Sequence, residues 1–314
     1  MEKKNRAVFG ILIMVFFFFI VLMIFATYTL KIFSGEEGSS TFGAMKKDGA
    51  TVAVVELNGV IMESKKTVEL IHKAYEDKQT KAILIRINSP GGAVGPTQEI
   101  YEEIRRIDQM YVDTEGKEGK PVYSSFGSIA ASGGYYIGAS TRKIFSNAGT
   151  ITGSIGVIMQ FMDLSKLYEL ARVKQETIKS GRFKDFGQPT RGMTQEEIDM
   201  LNSTVEGVHK QFMDDIKKTR KGKIKKDLFE LAQGQIFSGE EALNLGLVDE
   251  LAGMWSAGRK IHEELKLEGE FGFKFIKEKK KSNFWAVVED FEGVLGKIKT
   301  LLNQAETPAL MYRN

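Results

Sequence analysis

The chain has 314 residues, which is enough for one large domain or two domains of ordinary size. Its 44 basic and 41 acidic residues give a net charge of +3, too balanced to favour a nucleic-acid partner. The chain contains no cysteine, which is compatible with an oxidising compartment.

An uncharged apolar segment lies close to the N-terminus. Residues 8–27 carry no charge, and a helix of that length would cover about 30 Å, enough to cross a bilayer core. A cleaved signal peptide is the alternative, but its apolar region is usually shorter and a small-x-small cleavage site should follow. We therefore predict a cytoplasmic tail over residues 1–7 and a transmembrane anchor over residues 8–30.

The flanking charges predict the orientation of this anchor. Lys3, Lys4 and Arg6 precede the span, and the positive-inside tendency keeps such a short basic tail in the cytoplasm. The expected protein is therefore a single-pass protein of the cell membrane, with the rest of the chain outside the cytoplasm.

Three segments are predicted after the anchor. Residues 31–50 are rich in glycine and serine and are expected to form a linker. A folded domain is expected over residues 51–270, and residues 271–314 form an amphipathic extension. This extension would contact the membrane surface, or it would pack on the domain or a neighbouring subunit. Its acidic residues favour packing.

Strand and helix patterns alternate through the first half of the domain. Apolar runs predict strands at residues 51–57, 82–87, 121–126, 143–146 and 155–160. Between them lie helical patterns, one with Ile100, Ile104 and Ile107 on a single face. This alternation predicts an α/β fold with a covered, mainly parallel sheet.

The second half of the domain is more helical. Thr194 and Glu197 are spaced as a capping box before a long apolar stripe, and Ser238 and Glu241 repeat the device. Neither half contains an internal repeat. Two tandem copies of one domain are therefore not expected, and a complete site is expected to need oligomerisation.

Ser132 is the first candidate for a catalytic residue. Gly133 and a second glycine follow it, which leaves room for a substrate chain, and the Gly133 amide can point at an oxyanion. The turn NSPGG at residues 88–92 follows a strand and precedes a helix. Gly91 and Gly92 lack Cβ atoms, so their amides can approach a ligand closely. These features predict a hydroxyl nucleophile with backbone oxyanion donors. Three other serines are alternatives, although each would ordinarily be a helix cap or a small packing residue: Ser125, Ser128 and Ser154.

The base that would activate this serine is harder to find. No histidine lies within fifty residues of Ser132, and the three histidines are in helical stretches that predict surface or core positions. Residues 178–189 offer Lys179 and Lys184 after an expected strand. A lysine acts as a base only when neutral, so desolvation must lower its pKa from about 10.4. Phe183 and Phe186 flank Lys184 and would help supply an apolar environment.

Four motifs carry a resemblance to a known family. They are NSPGG at residues 88–92, AASGGYY at 130–136, TGSIGV at 152–157, and KSG at 179–181 with its following Lys184. In this order they resemble signal peptide peptidase A (SppA) in its short bacterial form, over a region from about Val52 to about Leu251. The resemblance implies a membrane-anchored Ser/Lys protease on the Clp/crotonase fold, built of repeated ββα units. It also implies degradation of remnant signal peptides and other short peptides.

The resemblance also assigns roles by motif position. It implies that Ser132 is the nucleophile and Lys184 the general base, with Lys179 the less close match. The oxyanion donors would be the amides of Gly133 and of Gly92 or Gly91. The short form is similar to assemblies in which several subunits form a dome, so a homo-oligomer is expected, and a neighbour is one source of the lysine. The expected partners are peptides and the bilayer, and no metal or cofactor is predicted.

Two interpretations from other classes remain open at this stage. A crotonase-like acyl-CoA enzyme also uses paired glycine amides, but export argues against it because CoA substrates are cytoplasmic. A catalytically inactive scaffold that only binds peptides is the second. A covalent probe directed at Ser132 would test the first, and binding of peptide without cleavage would favour the second.

Overall fold

The structure is a computed structural model that describes residues 51–277 and, before them, only Phe18 and Met23 in helical conformation. The predictions for the tail, anchor and linker over residues 1–50 otherwise lie outside the described residues. So does nearly all of the C-terminal extension, from residue 278 onward. Within the described part of the chain, no helix combines the length and the apolar character needed to cross a membrane.

Apolar strand runs alternate with helices, as the patterns predict. The strands are β1 (Val52–Asn58), β2 (Ala82–Ser89), β3 (Val122–Ala131), β4 (Lys143–Ser146), β5 (Ile151–Gly153), β6 (Ile236–Ser238), β7 (Glu250–Leu251) and β8 (Phe273–Phe275). The helices are α1 (Lys65–Glu76), α2 (Val94–Asp113), α3 (Gly133–Ala139), α4 (Ser165–Leu170), α5 (Gln195–Thr219), α6 (Leu228–Leu231), α7 (Gly239–Leu245) and α8 (Met254–Glu264).

The described strands form one sheet in the order β6-β5-β3-β2-β1-β8, with β4 beside β3 and β7 beside β4. Every strand pair is parallel except β5 with β6. Side chains on both faces of the central strands are buried, as parallel sheets require. Ala53 and Ile83 belong to the larger core cluster on one face, and Val54 and Leu84 belong to the smaller cluster on the other. The mixed α/β sheet is confirmed.

A register shift in the sheet brings the glycine turn to the serine segment. The β2–β3 pairing slips between Ile87 and Ser89, so that Ser89 lies opposite Ala130. The ends of both strands therefore reach the same edge of the sheet, where parallel α/β proteins place their ligands. Gly91 and Ser132, each two residues beyond this pair, meet there.

The predicted strand over residues 155–160 is wrong. The strand in this region is β5, which ends at Gly153. Gly153 has a φ of 80° and Ser154 a φ of 50°, and these two positive values turn the chain out of the sheet. Residues 154–164 then have no regular secondary structure. The expected strand before Lys179 is also missing, because residues 173–179 pair with no neighbouring strand.

Helix α5 begins at the predicted capping box. The Thr194 side chain accepts a hydrogen bond from the Glu197 amide, and the Glu197 carboxylate accepts one from the Thr194 amide. The predicted apolar stripe is buried only in its last turns, at Phe212 and Ile216. Its first members, Ile198 to Val208, are half-buried.

Candidate active site

Ser132 is the single residue between strand β3 and helix α3. Its φ of 53° and ψ of −119° lie outside the regions that residues with a side chain normally occupy. Two backbone bonds hold this conformation: its amide donates to the Gly153 carbonyl at 2.8 Å, and its carbonyl accepts from the Tyr136 amide at 2.9 Å. A sharp strand-to-helix turn of this kind presents a serine hydroxyl at the end of a sheet.

The NSPGG turn packs directly against this serine. A Cβ atom on Gly91 would lie 2.8 Å from the Gly133 nitrogen and 2.9 Å from the Ser132 Cβ. Gly91 also has a φ of 105°, which side-chain-bearing residues rarely adopt. A Cβ on Gly92 would lie only 2.0 Å from the Ile61 carbonyl oxygen. Glycine is therefore required at both positions by close backbone approach.

Two backbone amides beside Ser132 are placed to bind an oxyanion. Gly133 is the first residue of α3, so the helix itself does not use its amide. The bridge between Ile61 and Gly92 uses the Ile61 and Ala93 amides and leaves the Gly92 amide out. A Cβ on Gly133 would lie 3.3 Å from the Gly92 nitrogen, which places these two amides side by side.

The amide of Gly91 has a different role. It donates to the Ser89 hydroxyl at 3.1 Å, and the Gly91 carbonyl accepts from the Ile61 amide at 2.9 Å. Of the two donors that the sequence left open in the turn, the geometry therefore favours Gly92 over Gly91.

A cavity of about 130 Å³ opens beside Ser132. It is lined by Gly92, Val94, Thr97, Gln98, Ser132, Gly133, Tyr136, Gly156, Val157, Ile158, Val208 and Phe212. Most of the side chains in its wall are apolar. A cavity of this kind suits an apolar side chain of a bound peptide.

Tyr136 forms part of the wall and was not singled out from the sequence. Its hydroxyl donates to the buried Asp215 carboxylate, and its ring lies 4.7 Å from the Phe212 ring. Burial, together with Asp215, raises the pKa of Tyr136 well above its usual range, so the phenol stays protonated. The helical period could have indicated this residue, because Tyr136 lies one turn after Ser132.

The cavity contains no candidate for the general base. Among the residues that line it there is no histidine, lysine or carboxylate. His72 lies elsewhere, with its Nε2 2.6 Å from a Glu103 oxygen. His209 and His262 each have a buried Nε2 with no hydrogen-bond partner in the described part of the structure. No histidine of the described residues therefore lines the cavity beside Ser132.

Lys184 lies on an exposed turn and does not line the cavity of its own chain. Its amide donates to the Gly181 carbonyl at 3.0 Å, which closes the turn. The expected burial by Phe183 and Phe186 is absent within one chain: Phe183 stacks on the Arg182 guanidinium, and Phe186 packs against Phe161.

Lys179 is held differently. Its ammonium group lies 2.5 Å from an Asp185 oxygen and donates to the Arg182 carbonyl at 2.9 Å. These two contacts tie the Lys179 side chain to its own turn. The geometry therefore favours Lys184 over Lys179 as a base.

The rival serines have other environments. Ser125 is buried, and its hydroxyl accepts from Arg86 at 2.9 Å. Ser128 is exposed on the outer part of β3, and Ser154 lies in the turn after β5. Neither Ser125, Ser128 nor Ser154 lines the cavity.

Comparison with known proteins bears on this site. Residues 114–268 match the family model described as peptidase family S49, a stretch that contains Ser132 and Lys184. A putative protease of Synechocystis, slr0021, is 38% identical over 212 residues, which cover 66% of this chain and 73% of that protein.

The chain belongs to peptidase family S49.

Two further relatives support the same family. A putative signal peptide peptidase SppA of Enterococcus faecium is 36% identical over 63% of this chain and 55% of its own length. The chloroplastic serine protease SPPA of Arabidopsis thaliana is 32% identical over 62% of this chain and 28% of its own length. This S49 peptidase therefore spans about half or less of these two relatives. It is a serine protease, and the acyl-CoA interpretation is set aside.

The glycine turn of the peptidase gives a first testable prediction. Gly91→Ala should lower kcat by about 10²-fold, because the added Cβ would displace Ser132 and the Gly133 amide, the candidate nucleophile and oxyanion donor. Steady-state hydrolysis of a fluorogenic peptide measures the effect, and circular dichroism checks the fold. Gly95→Ala is the matched control, since a Cβ there meets nothing within 4 Å. Equal losses in both variants would contradict the prediction.

Proposed function

We propose that this chain is a membrane-anchored endopeptidase with a Ser132–Lys184 dyad, which degrades remnant signal peptides and other short peptides outside the cytoplasmic membrane. One observation carries the proposal. Ser132 lies in a strained turn beside two backbone donors and a cavity that contains no base of its own. The base must therefore come from elsewhere, and Lys184 is the lysine on an exposed turn that the family motif assigns.

The proposed mechanism follows from these positions. The neutral amine of Lys184 takes the proton of the Ser132 hydroxyl as its oxygen attacks the peptide carbonyl carbon. The amides of Gly92 and Gly133 stabilise the negative charge that develops on the carbonyl oxygen. The Lys184 ammonium then gives its proton to the leaving amine. Water hydrolyses the acyl-enzyme by the same steps and frees Ser132.

The dyad is proposed to form between subunits. Residues 156–191 extend from the domain, and nearly all of their side chains are exposed or half-buried. This segment, here called the arm, carries many exposed large apolar side chains: Ile158, Met159, Phe161, Met162, Leu167, Leu170, Val173, Ile178 and Phe186. Apolar exposure on this scale marks an interaction surface. A second copy of the chain packed on the arm would bury these side chains and bring Lys184 to a neighbour's Ser132.

The proposed substrates match the cavity. An apolar wall suits the central region of a signal peptide, which is a run of apolar residues. Residues 156–158 line this wall and lie in the stretch without regular secondary structure, so a peptide could pair with them in extended form. The name of the E. faecium relative, a putative signal peptide peptidase, agrees with this substrate class.

The proposed location and domain organisation rest on the sequence. Residues 8–30 would anchor the protein with its N-terminus in the cytoplasm, and residues 31–50 would be the linker. Residues 51–270 would be the protease domain, and the first residues of the extension add strand β8 to its sheet beside β1. We also propose that this domain has the repeated ββα layout of the Clp/crotonase fold. The β4-β5-α4 succession has the order of one such unit, whereas β1, β2 and β3 are each followed directly by a helix.

Product analysis tests the proposed function. The purified protein is incubated with a mixture of signal peptides and with polar peptides of equal length, and the products are identified by mass spectrometry. We expect cleavage within the apolar segments by the wild type and none by Ser132→Ala. Binding of signal peptides without any products would favour the inactive scaffold and contradict the proposal.

A further inference from the structure

A cluster of charged side chains lies where the arm returns to the domain. The Arg191 guanidinium contacts two carboxylates: its Nε and one terminal nitrogen donate to Asp185 at 3.2 and 3.0 Å, and both terminal nitrogens donate to Glu197. Asp185 is 8% exposed and Glu197 is 2% exposed. We call Asp185, Arg191 and Glu197 the arginine clamp.

The Asp185 end of the arginine clamp lies next to Lys184, the proposed base. Asp185 follows Lys184 directly, and the chain around them forms turns without helix or strand. Backbone bonds from the Lys184, Phe186 and Gln188 amides close local turns, and the side-chain bonds of Asp185 tie this stretch to Lys179 and Arg191. Arg191 also donates to the Asp185 carbonyl at 3.3 Å, so it holds both the side chain and the backbone of the residue after Lys184.

The other end of the clamp is the beginning of helix α5. Glu197 completes the capping box with Thr194, so its carboxylate is fixed by the helix as well as by Arg191. Farther along the same helix, Val208 and Phe212 line the Ser132 cavity. An α-helix is rigid because backbone hydrogen bonds join its successive turns. The positions of Glu197 and Phe212 on helix α5 are therefore fixed relative to each other. Helix α5 therefore connects the turn that carries Lys184 with the cavity wall of the same chain, while Lys184 itself is proposed to serve the Ser132 of a neighbour.

The charges around the clamp are nearly balanced by direct pairing. Hydrogen bonds from Arg191 lower the pKa of Glu197 to about 2, and hydrogen bonds from Arg191 and Lys179 lower the pKa of Asp185 below its usual range. Both carboxylates are therefore ionised at neutral pH. The charged groups that face Asp185 are Lys179 and Arg191, and the exposed Arg182–Glu196 pair joins the same two segments.

We propose that Arg191 is a positioning residue for catalysis, which holds the Lys184 turn at a fixed place relative to helix α5 through its bidentate contacts with Asp185 and Glu197. The inference rests on the proposed role of Lys184 as the general base. A guanidinium suits this task because its planar fork can bond two carboxylates at once, which an ammonium group cannot do with the same geometry.

The first test is the Arg191→Met variant. We expect kcat to fall by about 10²-fold with KM nearly unchanged, because a displacement of about 1 Å at a catalytic group costs that much while the substrate cavity stays intact. Arg191→Lys should recover part of the loss, because an ammonium can still pair with one carboxylate. The rate profile of Arg191→Met should also move to higher pH, since Asp185 then keeps only Lys179 as a partner and its negative charge beside Lys184 is less fully neutralised.

Two further variants keep the test decisive. Arg182→Met is the matched control: it removes an arginine from the same turn and an ion pair with the same helix, but that pair is largely exposed. It should keep kcat within about twofold. Glu197→Gln breaks the ion pair and leaves an amide oxygen that can complete the capping box, so its fold should survive. It should lose about tenfold in kcat, which is the value of one good charge-assisted bond.

The outcomes separate this inference from the function on which it rests. Wild-type kcat and pH profile in both Arg191→Met and Glu197→Gln, with Lys184→Ala inactive, would overturn the role of Arg191 and leave the dyad standing. Wild-type turnover in Lys184→Ala would overturn the base assignment itself. Loss of activity in Arg191→Met that only follows a loss of folded protein, with Glu197→Gln unaffected, would assign the clamp to stability and overturn the inference.

Discussion

Ser132→Ala should abolish peptide hydrolysis and leave the fold intact. The change removes one hydroxyl from a half-buried residue and keeps the Cβ atom, so the backbone conformation at φ 53° is equally accessible. Loss of a nucleophile costs at least about 10³-fold in kcat, and the remaining rate comes from binding and oxyanion stabilisation alone. Peptide hydrolysis is measured over long incubations, with circular dichroism and thermal unfolding as the checks on structure.

Two serines serve as controls for this experiment. Ser128 lies on the same strand and is exposed, and Ser154 lies in the neighbouring turn with a positive φ of its own. Alanine at either position should keep substantial activity, because neither side chain lines the cavity. Full activity in Ser132→Ala, together with loss in Ser128→Ala or Ser154→Ala, would sink the assignment of the nucleophile.

Lys184→Ala should also lose nearly all activity, and it should regain activity when mixed with Ser132→Ala. If the dyad forms between subunits, an assembly of both variants contains sites with an intact serine from one copy and an intact lysine from the other. Random mixing would restore about a quarter of the sites, because each site needs the right copy on both sides of a head-to-tail contact. The two variants are mixed at different ratios, by co-refolding or by exchange of subunits in detergent. Peptide hydrolysis is then measured at each ratio.

Several comparisons make this result specific. Lys184→Arg should not restore activity, because a guanidinium stays protonated and cannot accept the serine proton. The wild-type rate should rise with pH and then level off, because only the neutral amine acts as a base. Lys179→Ala removes the other lysine of residues 178–189 and should keep more activity. Activity in Lys184→Ala with loss in Lys179→Ala would refute the base assignment, and failure of complementation would place the dyad within one chain.

The sheet was largely predictable because its strands are buried on both faces. Runs such as Val52 to Val55 and Ala82 to Ile85 are apolar without interruption, which is the pattern of a central parallel strand. The segment at residues 155–160 is also apolar, yet it forms no strand. Ile155 is buried in the larger core cluster, and the other apolar side chains of this segment line the cavity or are exposed on the arm. The hydrophobic pattern alone cannot distinguish an apolar side chain that is buried in the sheet from one that binds a substrate or packs against a second copy of the chain.

The candidate site was predictable in part. Gly91, Gly92, Ser132 and Gly133 come together as expected, because each follows a parallel strand and such strands end at one edge. The base could not be placed, since its partner is proposed to lie on another copy. Arg191 was missed because an arginine six residues from each carboxylate fits no helical spacing. The sequence contained only an indirect indication of this residue: the carboxylates of Asp185 and Glu197 lie on either side of Arg191, and the sequence pattern pairs neither of them with another cation.

The backbone at Ser132 also bears on how this gene would change over time. A residue with a side chain held at positive φ costs of order 1–3 kcal/mol, and glycine would relieve most of that cost. Selection for stability alone would therefore replace this serine with glycine, and only the demand for a hydroxyl opposes the exchange. Copies of the peptidase that have been released from that demand should drift to three consecutive glycines at positions 132–134.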